Sequence, residues 1–273
     1  MSERRGRLIA GAVLTVATAI SLVPTIYMID MSLRTSDDSF APVLFAAHPT
    51  LANYVTVLHG GHLARFFANS VIVAAGTVSL TLIAVTGLAF AISRLKIRFG
   101  HLMLLAVVSA LLLPLASLLI PITVLLRELH MTNSWFGLIG PETALGIPFG
   151  TVIVKGAMDE IPVALEEAAV IDGAGSFTVL WRIVVPLIRP SLIVVAVWQF
   201  LFSWNEFFLA LVVMTRNSLK TLPLAPLYYE GPYMTDPGKL FAVLTLIAVV
   251  PMVVYLILQR WFVAGLLAGS VKG

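Results

Sequence analysis

The chain has 273 residues, of which 59% are hydrophobic and 11% charged, with a mean hydropathy of +1.00 and a formal net charge of +3. A soluble domain is about 25% charged, and no soluble fold of this length hides so much apolar surface, so the bilayer is part of the solvent. The small net charge gives no support to nucleic-acid binding, and the lack of cysteine excludes disulfides, thiolate metal sites and cysteine nucleophiles.

The first element begins with the basic stretch MSERRGR, and Ala17-Thr18-Ala19 imitates a signal-peptidase site. The apolar run continues to Ile29, too long for a signal core of roughly 7–15 residues, so the spacing predicts an uncleaved first membrane helix. Spanning about 30 Å of hydrocarbon takes roughly 20 apolar residues. Five segments meet this: Leu8–Ile29, Asn69–Ile92, Leu102–Leu126, Pro190–Met214 and Leu240–Leu258. A sixth, Trp135–Val154, is weaker because it carries Pro141, Glu142, Pro148 and four glycines, and such a helix is expected to be broken or buried among the others. Pro114, Pro121 and Pro251 fall within spans and read as kinks.

Lys and Arg favour the cytoplasmic side of short loops. Arg4, Arg5 and Arg7 place the N-terminus inside, and Arg94, Lys96 and Arg98 do the same for the loop after the second span. If Trp135–Val154 crosses, eleven of the seventeen Lys/Arg lie inside. The expected architecture is an all-α membrane protein, a single transmembrane domain over 1–273, with six transmembrane helices and both termini cytoplasmic. The outer loops, Asp30–Ala68 and Thr215–Lys239, read as a partly ordered cap and a shaped lid.

Between the fourth and fifth spans lies a polar stretch, EEAAVIDGAGSFTVLWRIVVP, from Glu166 to Pro186. Pro162 suits a helix first turn. Leu165, Ala168 and Ala169 fall at i, i+3 and i+4 as one apolar stripe. Glu166 and Glu167 lie where the macrodipole favours negative charge. Gly173 is placed to end the helix in a left-handed cap. Ser176 is placed to cap a second helix running to Arg182, with Pro186 disrupting it before the next span. The result is a cytoplasmic helix-turn-helix. An interfacial helix on lipid headgroups is the competing reading, but such helices usually present Lys and Arg rather than an acidic pair.

The spacing Glu167-Ala168-Ala169, Gly173, Ile183, Val185-Pro186 resembles the EAA loop of ABC-importer permeases, with Val where the family usually has Leu before the last Pro. Asn69-Ser70, IPITVLLRELHMTNSWFGLI, SWNEFFLAL at Ser203–Leu211 and the C-terminal QRWFVAGLLAGSVKG are similar to carbohydrate-uptake permeases of the MalG type. The likeness runs from about Asn53 to Gly273. Asp236-Pro237-Gly238 departs from the family's Asp-Trp-Gly.

The resemblance implies the type I ABC importer permease fold with a cytoplasmic coupling helix-turn-helix, in a prokaryotic plasma membrane. It also implies a second homologous permease, two copies of a cytoplasmic ATPase and an extracytoplasmic solute-binding protein as partners. Glu166, Glu167, Ala168, Ala169, Asp172, Gly173, Ile183 and Pro186 would couple to the ATPase. The tail at Gly269, Val271, Lys272 and Gly273 would reach the ATPase interface. ATP and Mg would be used by those partners, with no cofactor bound by this chain, which has no G-x-x-x-x-G-K-[ST] of its own. The solute would be a sugar or sugar-like molecule: a disaccharide, oligosaccharide, amino sugar or glycerol-phosphate type.

Catalytic residues and a metal site are not expected; the five histidines have no metal spacing. Trp198 and Gln199 are able to stack on and hydrogen-bond a sugar, although Trp also anchors at membrane interfaces. Glu206, beside Asn205, costs roughly 2.5–3.5 kcal/mol at mid-bilayer, so it either lines the translocation path or makes a structural hydrogen bond. The rival function is a self-contained secondary transporter using Glu206 for ion coupling, though the paired broken-helix repeats of such carriers are not found.

Overall fold

The computed structural model describes residues 2–35, 38–40, 45–95, 97–230 and 236–270, with the side chains of 2–5, 8, 40 and 260–270 outside the description. Among the described residues every regular element is helical. Helix α1 is Ser2–Ser32, followed by α2 (Ala52–His59) and α3 (His62–Ser93). Then come α4 (Gly100–Ser109), α5 (Leu115–Glu128) and α6 (Phe136–Asp159). The polar stretch forms α7 (Val163–Ile171), α8 (Ser176–Val179), a π turn over Leu180–Val184, and α9 (Val185–Leu187). The chain continues through α10 (Arg189–Trp204) and α11 (Phe208–Val213) to α12 (Pro237–Ser270).

Four of these helices are long and apolar enough to cross a bilayer, and two bent pairs raise the number to six if each pair is one span. The predicted third span, Leu102–Leu126, is one of the pairs: the chain turns by 106° between Gly100–Leu112 and Leu115–Glu128. The cause is local. A residue before proline is pushed out of the helical region, and Leu113, before Pro114, is extended at φ −83° and ψ 120°. Pro114 therefore starts a new helix in another direction, whereas Pro121 is held within α5. The predicted fifth span, Pro190–Met214, ends its first helix at Trp204 and resumes as α11. Within the outer loop expected as a partly ordered cap, Ala52–His59 forms the short helix α2.

The chain divides into two compact units: Met1–Ala64 with Ala225–Val250, and Arg65–Leu224 with Pro251–Gly273. In the first, Asp30 accepts from Arg34 Nε and from the Ala46 amide, each at 2.8 Å. The Asn53 amide donates to the carbonyls of Ser32 and Arg34. Gly238 lies directly on that amide, since a Cβ there would sit 2.6 Å from Asn53 Nδ2. Asp236 precedes α12 and accepts the Lys239 amide, with Pro237 as first helical residue, a normal helix start.

The second unit is organised around α6. Glycines at 146 and 150 form a small-xxx-small face that allows close approach between membrane helices. A Cβ at Gly146 would overlap Gln199 Oε1 on α10, and one at Gly150 would lie 2.8 Å from Val85 Cγ1 and 3.1 Å from Val195 Cγ1. The pairs 146–199 and 150–195 make α6 and α10 antiparallel, while Gly76 against Ile139 and Thr77 against Glu142 make α3 and α6 parallel. Two apolar clusters occupy the ends of this bundle. One holds Val85, Phe90, Val154, Met158 and Val184; the other holds Val73, Leu126, Leu138, Leu209 and Val213. Buried Thr77, Thr81, Glu142 and Gln199 lie between them along the helices.

Candidate functional site

Helix α7 begins after Pro162, which stands at the N-cap with extended backbone rather than inside the first turn. It ends at a glycine as the sequence reading expects: Gly173 has φ +86°. The Ala174 amide donates to the Ala169 carbonyl and the Gly173 amide to that of Val170, the paired bonds of a Schellman cap. No side chain other than hydrogen sits at this φ without strain. Gly175, not Ser176, occupies the N-cap of α8, and no side-chain cap forms there. Pro186 does not stop the second helix. The π turn over Leu180–Val184 precedes α9, and the chain turns by 78° only between Leu187 and Arg189. A π bulge changes the hydrogen-bond spacing before the proline, where a normal ladder would want an N–H it lacks.

The predicted apolar stripe does not face inward as a unit. Ala169 packs on the core, but Leu165 and Ala168 are exposed, together with Glu167, Asp172 and Gly173. Val163, Val170, Ile171, Phe177 and Trp181 are also exposed, Ile171 by 85% and Phe177 by 75%. Exposed apolar patches of this kind mark contact sites for a partner or a membrane. Ile183 is half-buried and Pro186 exposed on the return segment.

Glu166 takes a different position from Glu167. It is buried and accepts from Arg94 Nε at 2.5 Å. Arg94 Nη2 donates to the carbonyls of Met158 at 2.5 Å and Ile161 at 3.1 Å. In the sequence Arg94 marks only the cytoplasmic side of a loop, and its partner lies 72 residues further along the chain. Beside it lies a cavity of about 460 Å³ lined by Arg94, Val163, Glu166, Glu167, Val170 and Ile171, among others.

The residues considered for a solute path do not form one cluster. Trp198 stacks between Phe149, at 4.3 Å between ring centroids, and Phe202, at 5.7 Å. Gln199 is fully buried and donates to the Glu142 carbonyl at 3.1 Å, while its Oε1 has no hydrogen-bond partner among the described residues. Asn205 is exposed at the end of α10 and donates to the Leu201 carbonyl. Glu206 is buried and accepts the Leu209 amide at 2.6 Å. It caps α11 at the break between helices. Glu142, which the sequence reading weighed only against its helix, is 1% exposed and accepts from the Thr77 hydroxyl. Gly269 lies in α12, whereas Val271, Lys272 and Gly273 lie outside the described residues. No group of His, Cys, Asp and Glu able to hold a metal occurs among the described residues.

Comparison with known proteins places this geometry. Residues 83–267 match the family of binding-protein-dependent transport system inner membrane components. The chain is 33% identical over 270 residues to the sulfoquinovosyl glycerol transport system permease protein SmoH of Agrobacterium fabrum, covering 98% of this chain and 93% of that one. It is 31% identical over 274 residues to the trehalose/maltose transport system permease protein MalG of Thermococcus litoralis, covering 99% and 98%. In structure it resembles a bacterial ABC transporter involved in import of the acidic polysaccharide alginate, with a TM-score of 0.84 at 20% identity over 96% of this chain and 98% of that one. The chain belongs to the binding-protein-dependent transport system inner membrane component family, and its fold is that of an ABC-importer permease.

Proposed function

We propose that this family member is one of two homologous permease subunits of an ATP-driven importer and forms half of the translocation pathway for a sugar or sugar-like solute. The observation that carries the reading is the α7–α8 hairpin, closed by a left-handed Gly173 and presenting exposed Leu165, Val170, Ile171 and Phe177 beside Glu167. In a chain otherwise built for lipid, it is the element shaped to receive a water-soluble motor. The sugar class draws support from relatives named for trehalose/maltose and sulfoquinovosyl glycerol transport.

The assembly contains a second permease, two copies of a cytoplasmic ATPase that use ATP and Mg, and an extracytoplasmic binding protein that delivers the solute. Residues 1–273 act as a single permease domain with six spans in a prokaryotic plasma membrane, both termini cytoplasmic. Glu167, Ala168, Asp172 and Gly173 face the ATPase cleft. Glu166 and Ala169 fix the helix from behind, and Ile183 and Pro186 shape its return. The tail at Gly269, Val271, Lys272 and Gly273 reaches the ATPase interface. Trp198, Gln199, Asn205 and Glu206 serve the solute path on this chain's side. A self-contained carrier coupled through Glu206 gains nothing from the geometry, because that carboxylate already accepts the Leu209 amide.

Purification of the tagged chain in mild detergent tests the reading. A second permease and an ATPase should come with it, and Glu167→Lys should lower ATPase recovery at least tenfold while the second permease stays. Recovery of a well-behaved homo-oligomer without an ATPase overturns it.

A further inference from the structure

Helix α7 is joined to the spans by very little. Most of its residues are exposed, and Glu166 is its one buried residue. Its inward face therefore rests on Ala169 against the core and on the Glu166 carboxylate. That carboxylate meets Arg94, which stands one residue beyond the end of α3.

Arg94 does more than neutralise Glu166. Through Nη2 it binds the carbonyls of Met158, in the last turn of α6, and Ile161, in the link to α7. Helix C-termini carry unpaired carbonyls and the negative end of the macrodipole, so a cation there is favoured. Because α3 and α6 are parallel, their C-terminal ends lie together, and a guanidinium carried just past the end of α3 reaches the end of α6. Its planar fork allows Nε and Nη2 to hold different partners in fixed directions, which an ammonium does not do. Both side chains of the pair are about nine-tenths buried, with exposures of 11% and 9%, so water does not loosen the link.

We infer that Arg94 is the positioning residue that passes movement of the ATPase-docking helix to the membrane bundle, by holding α7 through Glu166 while gripping the end of α6 from its place at the end of α3. The inference rests on the reading of α7 as that docking helix. Glu166 and Glu167, adjacent in sequence, then divide the work: Glu167 faces the motor and Glu166 faces the spans. A push on α7 reaches α3 and α6 together. From α6 it reaches α10 through the Gly146 and Gly150 contacts, which have no slack.

The test uses the complete importer reconstituted in nanodiscs. The chain has no cysteine, so a spin label is placed at Ile83→Cys on the exposed side of α3 or at Val152→Cys on α6. Mg-ATP with vanadate traps the closed ATPase dimer. With Arg94 intact, trapping should change the label spectrum. With Arg94→Gln, the change should fall at least fivefold while trapped nucleotide per ATPase stays at the wild-type level. Arg94→Lys should recover part of it, keeping the charge without the fork. Should Arg94→Gln fail to assemble, Glu166→Gln serves, since it leaves the bonds from Arg94 to the α6 end in place. It should reduce the change in the same direction. A full spectral change in Arg94→Gln or Glu166→Gln overturns the inference. Absence of ATPase association or of any change with Arg94 intact counts instead against the docking reading.

Discussion

Helices α1 and α6 are both long enough to span a bilayer, and they are opposites. The most apolar stretch of α1 has 0% of its residues buried within the chain; in α6, the less apolar of the two, 56% are buried. In a soluble protein the ranking would run the other way. In lipid, apolar side chains gain nothing by leaving the solvent, so helices associate through close packing and polar links. Hence α1 is uniformly greasy, and α6 carries Gly146, Gly150, Pro141, Pro148 and Glu142. The features that weaken α6 as a hydropathy signal are those that make it the centre of its unit.

The sharpest test of that contrast is one substitution made twice. Gly150→Leu places a side chain against Val85 and Val195, where even a Cβ is within 3.1 Å of both, whereas Gly11 has nothing within 4 Å. Overpacking costs about 1–3 kcal/mol, so Gly150→Leu should lower the thermal midpoint of the purified complex by several degrees. Gly11→Leu should leave it unchanged within the chain's own contacts. Equal effects at the two sites would break the comparison.

A smaller effect is expected at Glu142. It accepts from Thr77 across the α3–α6 contact while its backbone carbonyl accepts from Gln199 on α10. Interhelical polar links in membranes contribute about 0.6 kcal/mol and up to about 1.7. Glu142→Ala should therefore cost about 1–2 kcal/mol, including the small void left behind. In α1, Ser21 bonds only the Ala17 carbonyl of its own helix, and Ser21→Ala should be silent in the same melting assay.

These differences also mark where the sequence was legible. Leu8–Ile29, Asn69–Ile92 and Leu240–Leu258 fall within single helices and Trp135–Val154 overruns its helix by one residue, because length and apolarity are sufficient to propose a span; Leu102–Leu126 and Pro190–Met214 are each broken. Gly173 was legible because only glycine sits comfortably at positive φ at a helix end. The turn at Leu113-Pro114 was not, since an apolar window carries no direction and Pro114 reads equally as a mild kink. The break at Asn205-Glu206-Phe207 was hidden by uniformly apolar neighbours. The partners of Arg94 and Glu142 lie 72 and 65 residues away in the chain, and nothing local announces them. The stripe of Leu165, Ala168 and Ala169 was legible as a face but not in its surroundings, because periodicity locates a face without saying what covers it: Ala169 packs on the core and the other two are exposed. Here the inward face is fixed by a buried ion pair, and Leu165, Val170 and Ile171 are left exposed.

Glu206 offers the finest distinction, because one carboxylate is asked to do two things. Its bond to the Leu209 amide caps α11, and the proposed solute path assigns it a second role. Glu206→Gln keeps a side-chain oxygen for that amide and weakens only the charge-assisted part of the bond, so the cost should stay within about 1 kcal/mol. Glu206→Ala removes the cap and should cost about 1 kcal/mol or slightly more. If the carboxylate also serves the path, Glu206→Gln should cut solute uptake severalfold while the melting midpoint and recovery of both partners hold. If uptake instead follows the midpoint through both variants, Glu206 is a cap alone. The polar break in the fifth span would then be a structural joint, closer in kind to the turn at Pro114 than to the buried layer around Glu142.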